Sequence, residues 1–85
     1  MAEEKRLNKK GYLTQTGEGE LLLVNEKGVA YLVNESIVAI WDRFEEKTIE
    51  EVIQEVADIS ELDPQELREP IRELVDALVK AELLA

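Results

Sequence analysis

At 85 residues, with 45% hydrophobic content and four aromatic side chains, the chain is sized for one small aliphatic core and is too apolar to remain disordered. The absence of cysteine and histidine excludes disulfide staples, thiolate catalysis, the usual zinc ligands and the commonest general bases. A formal net charge of −10 excludes nucleic-acid binding as a working hypothesis, because an acidic domain repels the phosphates it would have to contact.

The charge is unevenly placed. Lys5, Arg6, Lys9 and Lys10 against Glu3 and Glu4 leave +2 in residues 1–10, so residues 11–85 carry −12. This contrast predicts a charged flexible tail over residues 1–10 and a single domain over 11–85. The N-terminus lacks the apolar run of a signal peptide, and no stretch approaches the ~18 apolar residues that a membrane span needs. No membrane partner and a cytoplasmic location are therefore expected.

In chain order, "GYLTQT" (11–16), "ELLLVN" (20–25) and "VAYLV" (29–33) read as strands, separated by the turn sequences "GEG" and "NEKG". Short glycine-bearing turns make these an antiparallel meander with the second strand central. Asn34 is placed to cap a helix directly after the third strand, and Ile37, Val38, Ile40, Trp41 and Phe44 follow helical spacing. Thr48 with Glu51 forms a capping-box pattern ahead of Ile49, Val52, Ile53 and Val56. Asp63, Pro64 and Glu66 open a third helix. Pro70 removes one backbone donor inside it, which predicts a kink or a short first segment with the helix proper starting near Pro70. Beyond it, Ile71, Leu74, Val75, Leu78, Val79 and Leu83 make an apolar face broader than one packing seam requires. The expected fold is α+β and winged-helix-like, a three-stranded antiparallel meander followed by three α-helices.

No pattern for catalysis or metal binding emerges. The acid pairs Glu45–Glu46 and Glu50–Glu51 are adjacent in sequence and diverge on a helix, no glycine-rich phosphate loop precedes a helix, and no calcium loop is present. The expectation is a protein that is not an enzyme and has no cofactor, no catalytic residue and no metal ligand. Ser36 in "ESIV" is loosely similar to the serine that acyl carrier proteins modify, which makes a carrier protein one alternative and a winged-helix protein–protein adaptor another. What remains is binding: the third strand ends the meander, so one side of its backbone is open to an added strand. A second copy of the chain could satisfy the same edge, so a homodimer is the competing partner.

The order of these pieces resembles a known family. "N-x-x-G-V-A-Y-L-V-N", "I-W-D-R-F", "T-I-E-E-V" and the closing "L-V-x-A-L-V-x-A-x-L-L" are similar, from Tyr12 to Leu84, to the pyrroloquinoline quinone biosynthesis protein D family, the founding peptide-recognition element of ribosomally made, post-translationally modified peptide pathways. Where that family commonly has a glycine before its last leucines, this chain has Glu82. The resemblance implies a non-catalytic peptide chaperone. The leader segment of a precursor peptide adds beside the third strand, packs against the third helix, and is presented to a modifying enzyme, typically a radical S-adenosylmethionine (SAM) maturase. On that basis the expected peptide-binding residues are Val29, Ala30, Tyr31, Leu32 and Val33 on the strand, with Arg68, Ile71, Arg72, Val75 and Val79 as the helical wall. Strand alternation alone leaves the face of Tyr31 undecided.

Overall fold

Each helix begins where a side chain can satisfy its free backbone donors. The structure, a computed structural model, describes residues 5–85. The Asn34 side chain accepts the Ile37 N–H at 2.9 Å to open α1 (Glu35–Asp42). At α2 (Ile49–Ser60) the Thr48 hydroxyl accepts the Glu51 N–H at 3.1 Å, and the Glu51 carboxylate accepts the Thr48 N–H at 2.9 Å. Asp63 accepts the Gln65 N–H at 2.9 Å to open α3 (Pro64–Lys80), whose first residue is proline. These caps are each worth about 1 kcal/mol.

Pro70 does not split α3, which runs from Pro64 to Lys80 as one helix. This corrects the expected start near Pro70. Pro70 lies on the exposed face beside Glu66 and Glu69, so water can serve the carbonyl left without an N–H partner.

The meander is as expected: β2 (Tyr12–Gln15), β3 (Leu21–Val24) and β4 (Ala30–Val33) form an antiparallel sheet in the order β2-β3-β4. A second sheet was not expected. β1 (Leu7–Asn8) pairs antiparallel with β5 (Glu45–Lys47). On its other side, Asn8 and Ala85 exchange N–H···O bonds of 2.8 and 3.0 Å, and the Lys10 N–H donates to the Leu83 carbonyl at 2.9 Å. The expectation of a flexible tail is thereby corrected for residues 6–10. Leu7 is 5% exposed within the core, Arg6 donates to the Glu46 carbonyl, and Lys9 pairs with Asp42 while sitting over the Trp41 ring. Residues 1–4 lie outside the described residues.

The core joins these layers through Leu23 of β3, Trp41, Phe44, Val52 and Ile53, Ile71, Val75 and Leu78 of α3, and Leu83 and Leu84 of the closing segment. Trp41 donates its indole N–H to the Leu83 carbonyl at 2.9 Å, so its polar atom is paired inside that core.

Among the described residues, three glutamates adopt left-handed backbone conformations: Glu46 (φ 56°), Glu61 (φ 58°) and Glu82 (φ 62°). Glu82 thus takes the conformation for which the resembling family has a glycine, and its carboxylate pairs with Lys27 at 2.9 Å. Glu61 ends α2 in the same way. A side chain in that region costs about 1 to 2 kcal/mol, partly offset by glycine's greater freedom when unfolded. Glu61→Gly should therefore raise stability by about 0.5 to 1 kcal/mol, or roughly 3 to 6 °C in Tm. A lower Tm in a thermal melt would show that the Glu61 side chain contributes something the backbone strain does not outweigh.

Candidate functional site

β4 hydrogen-bonds to β3 alone, and its outer side is unpaired among the described residues. The hairpin turn sets which groups face outward. The Asn25 N–H donates to the Val29 carbonyl at 2.9 Å, and hydrogen-bonded and non-bonded pairs then alternate along the antiparallel ladder. Tyr31 and Val33 direct their amides to Leu23 and Leu21, their register partners. Ala30 and Leu32 turn theirs to the open edge.

The register also settles the face of Tyr31. It lies opposite Leu23, which is fully buried, so Tyr31 is on the core side of the sheet; at the edge strand it remains 37% exposed. Leu32 points to the other face and is 67% exposed, while Val29 at the turn is 46% exposed. Val33 packs on the core. The edge is thus an uncharged strip with apolar side chains on both faces.

The residues expected on α3 are placed differently. Ile71 and Val75 are 2% and 3% exposed and belong to the core, which corrects their assignment to a contact wall. Arg68 forms an ion pair with Glu50 of α2, its Nε donating at 3.3 Å. That guanidinium holds the Glu50 carboxyl below its ordinary pKa, with a smaller contribution from Arg72. Exposed Arg72 and Val79, which is 41% exposed, line a shallow groove of about 390 Å³ together with Lys5, Leu7, Ile49 and the edge of Val75. No β4 residue borders it. At 3.6 residues per turn, Arg68, Arg72 and Val79 lie on one flank of the buried stripe and Leu67 and Leu74 on the other. Leu67 and Leu74 are half-buried against the core that Val33 and Ile37 also join.

One positioning residue was missed. Asn25 is 4% exposed. Its side-chain oxygen accepts the Lys27 and Val29 N–H groups at 2.9 and 3.0 Å, while its amide donates to the Ala81 carbonyl at 2.8 Å. It shapes the β3–β4 turn and ties it to the end of α3, and the Lys27–Glu82 ion pair reinforces the same junction. The sequence marks Asn25 as a turn residue, but the bond to Ala81 depends on a tertiary meeting that local pattern does not encode.

Ser36 is exposed in the first turn of α1 and follows a strand, not a helix. No described helix is long and apolar enough to cross a membrane.

Compared with protein families, the chain matches coenzyme PQQ synthesis protein D (PqqD) over residues 20–84. No curated protein and no solved structure matches it.

Proposed function

Because that match spans most of the chain, the protein belongs to the PqqD family, and from this membership we propose that it is a non-catalytic peptide chaperone acting through the open edge of β4. The leader segment of a ribosomally made precursor peptide adds as a strand beside Ala30–Val33. Ala30 and Leu32 exchange main-chain hydrogen bonds with it, and alternate leader side chains fall beside Tyr31 on one face and Leu32 on the other. The domain then presents the peptide to a modifying enzyme, a radical SAM maturase. The observation that carries this reading is the uncharged edge of β4, unpaired among the described residues, since proteins ordinarily protect such edges with charge, proline or a bulge.

The proposed contact set is narrower than residue pattern alone implies. Val29 to Val33 remain in it. Ile71 and Val75 leave it, and Arg68 is already engaged with Glu50. Arg72 and Val79 border a groove on the other flank of α3. A flexible leader loses chain entropy on docking, which favours moderate affinity and release after modification.

Leu32→Pro tests the edge directly. Proline deletes the outward N–H and leaves the amides of Tyr31 and Val33, which bond β3, in place, so the meander survives. Tagged wild-type and variant chains are purified from native cells and co-purifying peptides identified by mass spectrometry. Wild type should carry a short precursor peptide, and the variant should bind that peptide about tenfold more weakly with an unchanged circular dichroism spectrum. Equal binding by both chains would remove β4 from the site. A phosphopantetheine-sized mass on Ser36 would replace the chaperone reading with that of a carrier protein.

A further inference from the structure

The groove on the far flank of α3 gathers cations that the protein's own acids leave unpaired, and we infer that it binds an acidic, partly apolar segment of the same precursor peptide that β4 receives. This rests on the peptide reading of β4 and adds a second contact to it. Carboxylates outnumber lysine and arginine 20 to 10, so an unpaired cation is unexpected on this surface. Arg6, Lys9, Lys27, Arg43, Lys47 and Arg68 each pair with an acid. Lys5, Lys10, Arg72 and Lys80 have no such partner among the described residues, and all but Lys80 line this groove or its continuation. Arg72 helps lower the Glu50 pKa, yet Glu50 is already held by Arg68.

The floor between these cations is apolar. Lys5 and Arg72 flank Leu7, Ile49, Val75 and Val79, with no acid among them. At Lys5 and Val79 the groove continues into a stretch that Lys10, Glu26, Glu82 and Leu84 also line. Glu26 belongs to the turn from which β4 departs, so a peptide passing beyond the Ala30 end of β4 meets the groove there. Lys27 neutralises Glu82 at that end, and Glu26 offsets Lys10. The carboxylates of the occupant therefore belong between Lys5 and Arg72. Shape and charge exclude the other anions. A shallow groove suits an extended peptide better than a small molecule, whose sites enclose most of the ligand surface. A nucleic-acid strand would lay its further phosphates against a chain of net charge −10, whereas a short segment keeps its carboxylates beside the cations.

The test uses a rhodamine-labelled hexapeptide of alternating glutamate and leucine, read by fluorescence anisotropy. Wild type should bind it, and the same peptide with glutamine in place of glutamate should bind about tenfold more weakly. Arg72→Glu and Lys5→Glu should each weaken binding about fivefold. Lys80→Glu, the same change of charge outside the groove, should leave it within about twofold. Leu32→Pro should bind the hexapeptide like wild type, so failure of the groove and failure of the β4 edge are told apart. The precursor that co-purifies with wild type should contain a run of acidic and apolar residues, and Arg72→Glu should weaken its binding about fivefold as well. Four outcomes overturn the inference: no binding of the hexapeptide by millimolar wild-type chain, equal binding of the glutamine peptide, equal losses in Arg72→Glu and Lys80→Glu, or a co-purifying precursor without an acidic run.

Discussion

Val75→Glu should unfold the domain instead of emptying a binding groove. Val75 is 3% exposed and packs in the core with Ile71 and Leu78 of its own helix and with Leu7, Leu83 and Leu84 of the closing segments. A carboxylate there must lose its water without a partner built to receive it, which costs several kcal/mol. A domain of this length has roughly 4 to 13 kcal/mol of stability in total. Lys5 and Arg72 at the groove rim could draw a longer side chain outward, but only by opening the packing between α3 and Leu7. The expected result is loss of the native circular dichroism signal and of a cooperative melt. Val79→Glu is the control: one turn away and 41% exposed, it should change stability by no more than about 0.5 kcal/mol. If Val75→Glu melts like wild type and only peptide binding disappears, α3 presents Val75 to ligand and its core assignment fails.

Gly11→Ala is the second large effect. Gly11 has φ +80°, and a methyl group added there would overlap the Val24 carbonyl oxygen and stand 3.0 Å from the Asn25 Cα. Both obstacles are backbone, at the end of the central strand and the start of the turn that follows it, and cannot move aside as the tip of a side chain can. Left-handed strain of about 1 to 2 kcal/mol adds to about 1 to 3 kcal/mol for overpacking, for a loss of roughly 2 to 5 kcal/mol. Gly28→Ala isolates the two contributions, since its φ is +85° but nothing lies within 4 Å of the added methyl. In urea titrations Gly28→Ala should cost only the strain, about 1 kcal/mol. Equal losses at the two positions would show that the crowding at Gly11 contributes nothing.

How much of this was legible in the sequence depended on whether the cause was local. Caps act over three residues, so Asn34, Thr48 with Glu51, and Asp63 announced the three helices and their starts. Alternation and turn glycines announced the meander. The second sheet was invisible because its strands are two and three residues long and without period: "LN" meets the charged "EEK" from the far side of the meander and α1. What holds them is backbone hydrogen bonding, which almost any side chain permits. The candidate site divided along the same line. The strand half followed from where the meander stops, whereas the helical half needed the rotation of α3 about its axis. A stripe containing Ile71, Leu74, Val75, Leu78 and Val79 is apolar throughout. Only packing decides that Val75 points inward while Val79 borders a groove beside Leu7 and Ile49. Arg68 likewise found its partner in Glu50, 18 residues away.

The meeting of residues 8–10 with residues 83–85 changes how the domain opens. Chain ends are ordinarily the first parts to fray, exchanging their amide protons and admitting proteases at little cost to the rest. Here the two ends of the described chain guard each other. Lifting either one breaks hydrogen bonds to the other and uncovers Leu7, Leu83 and Leu84, all core residues. Fraying at the ends thereby becomes opening of the core, so the amides of Asn8, Lys10 and Ala85 should report the stability of the whole domain.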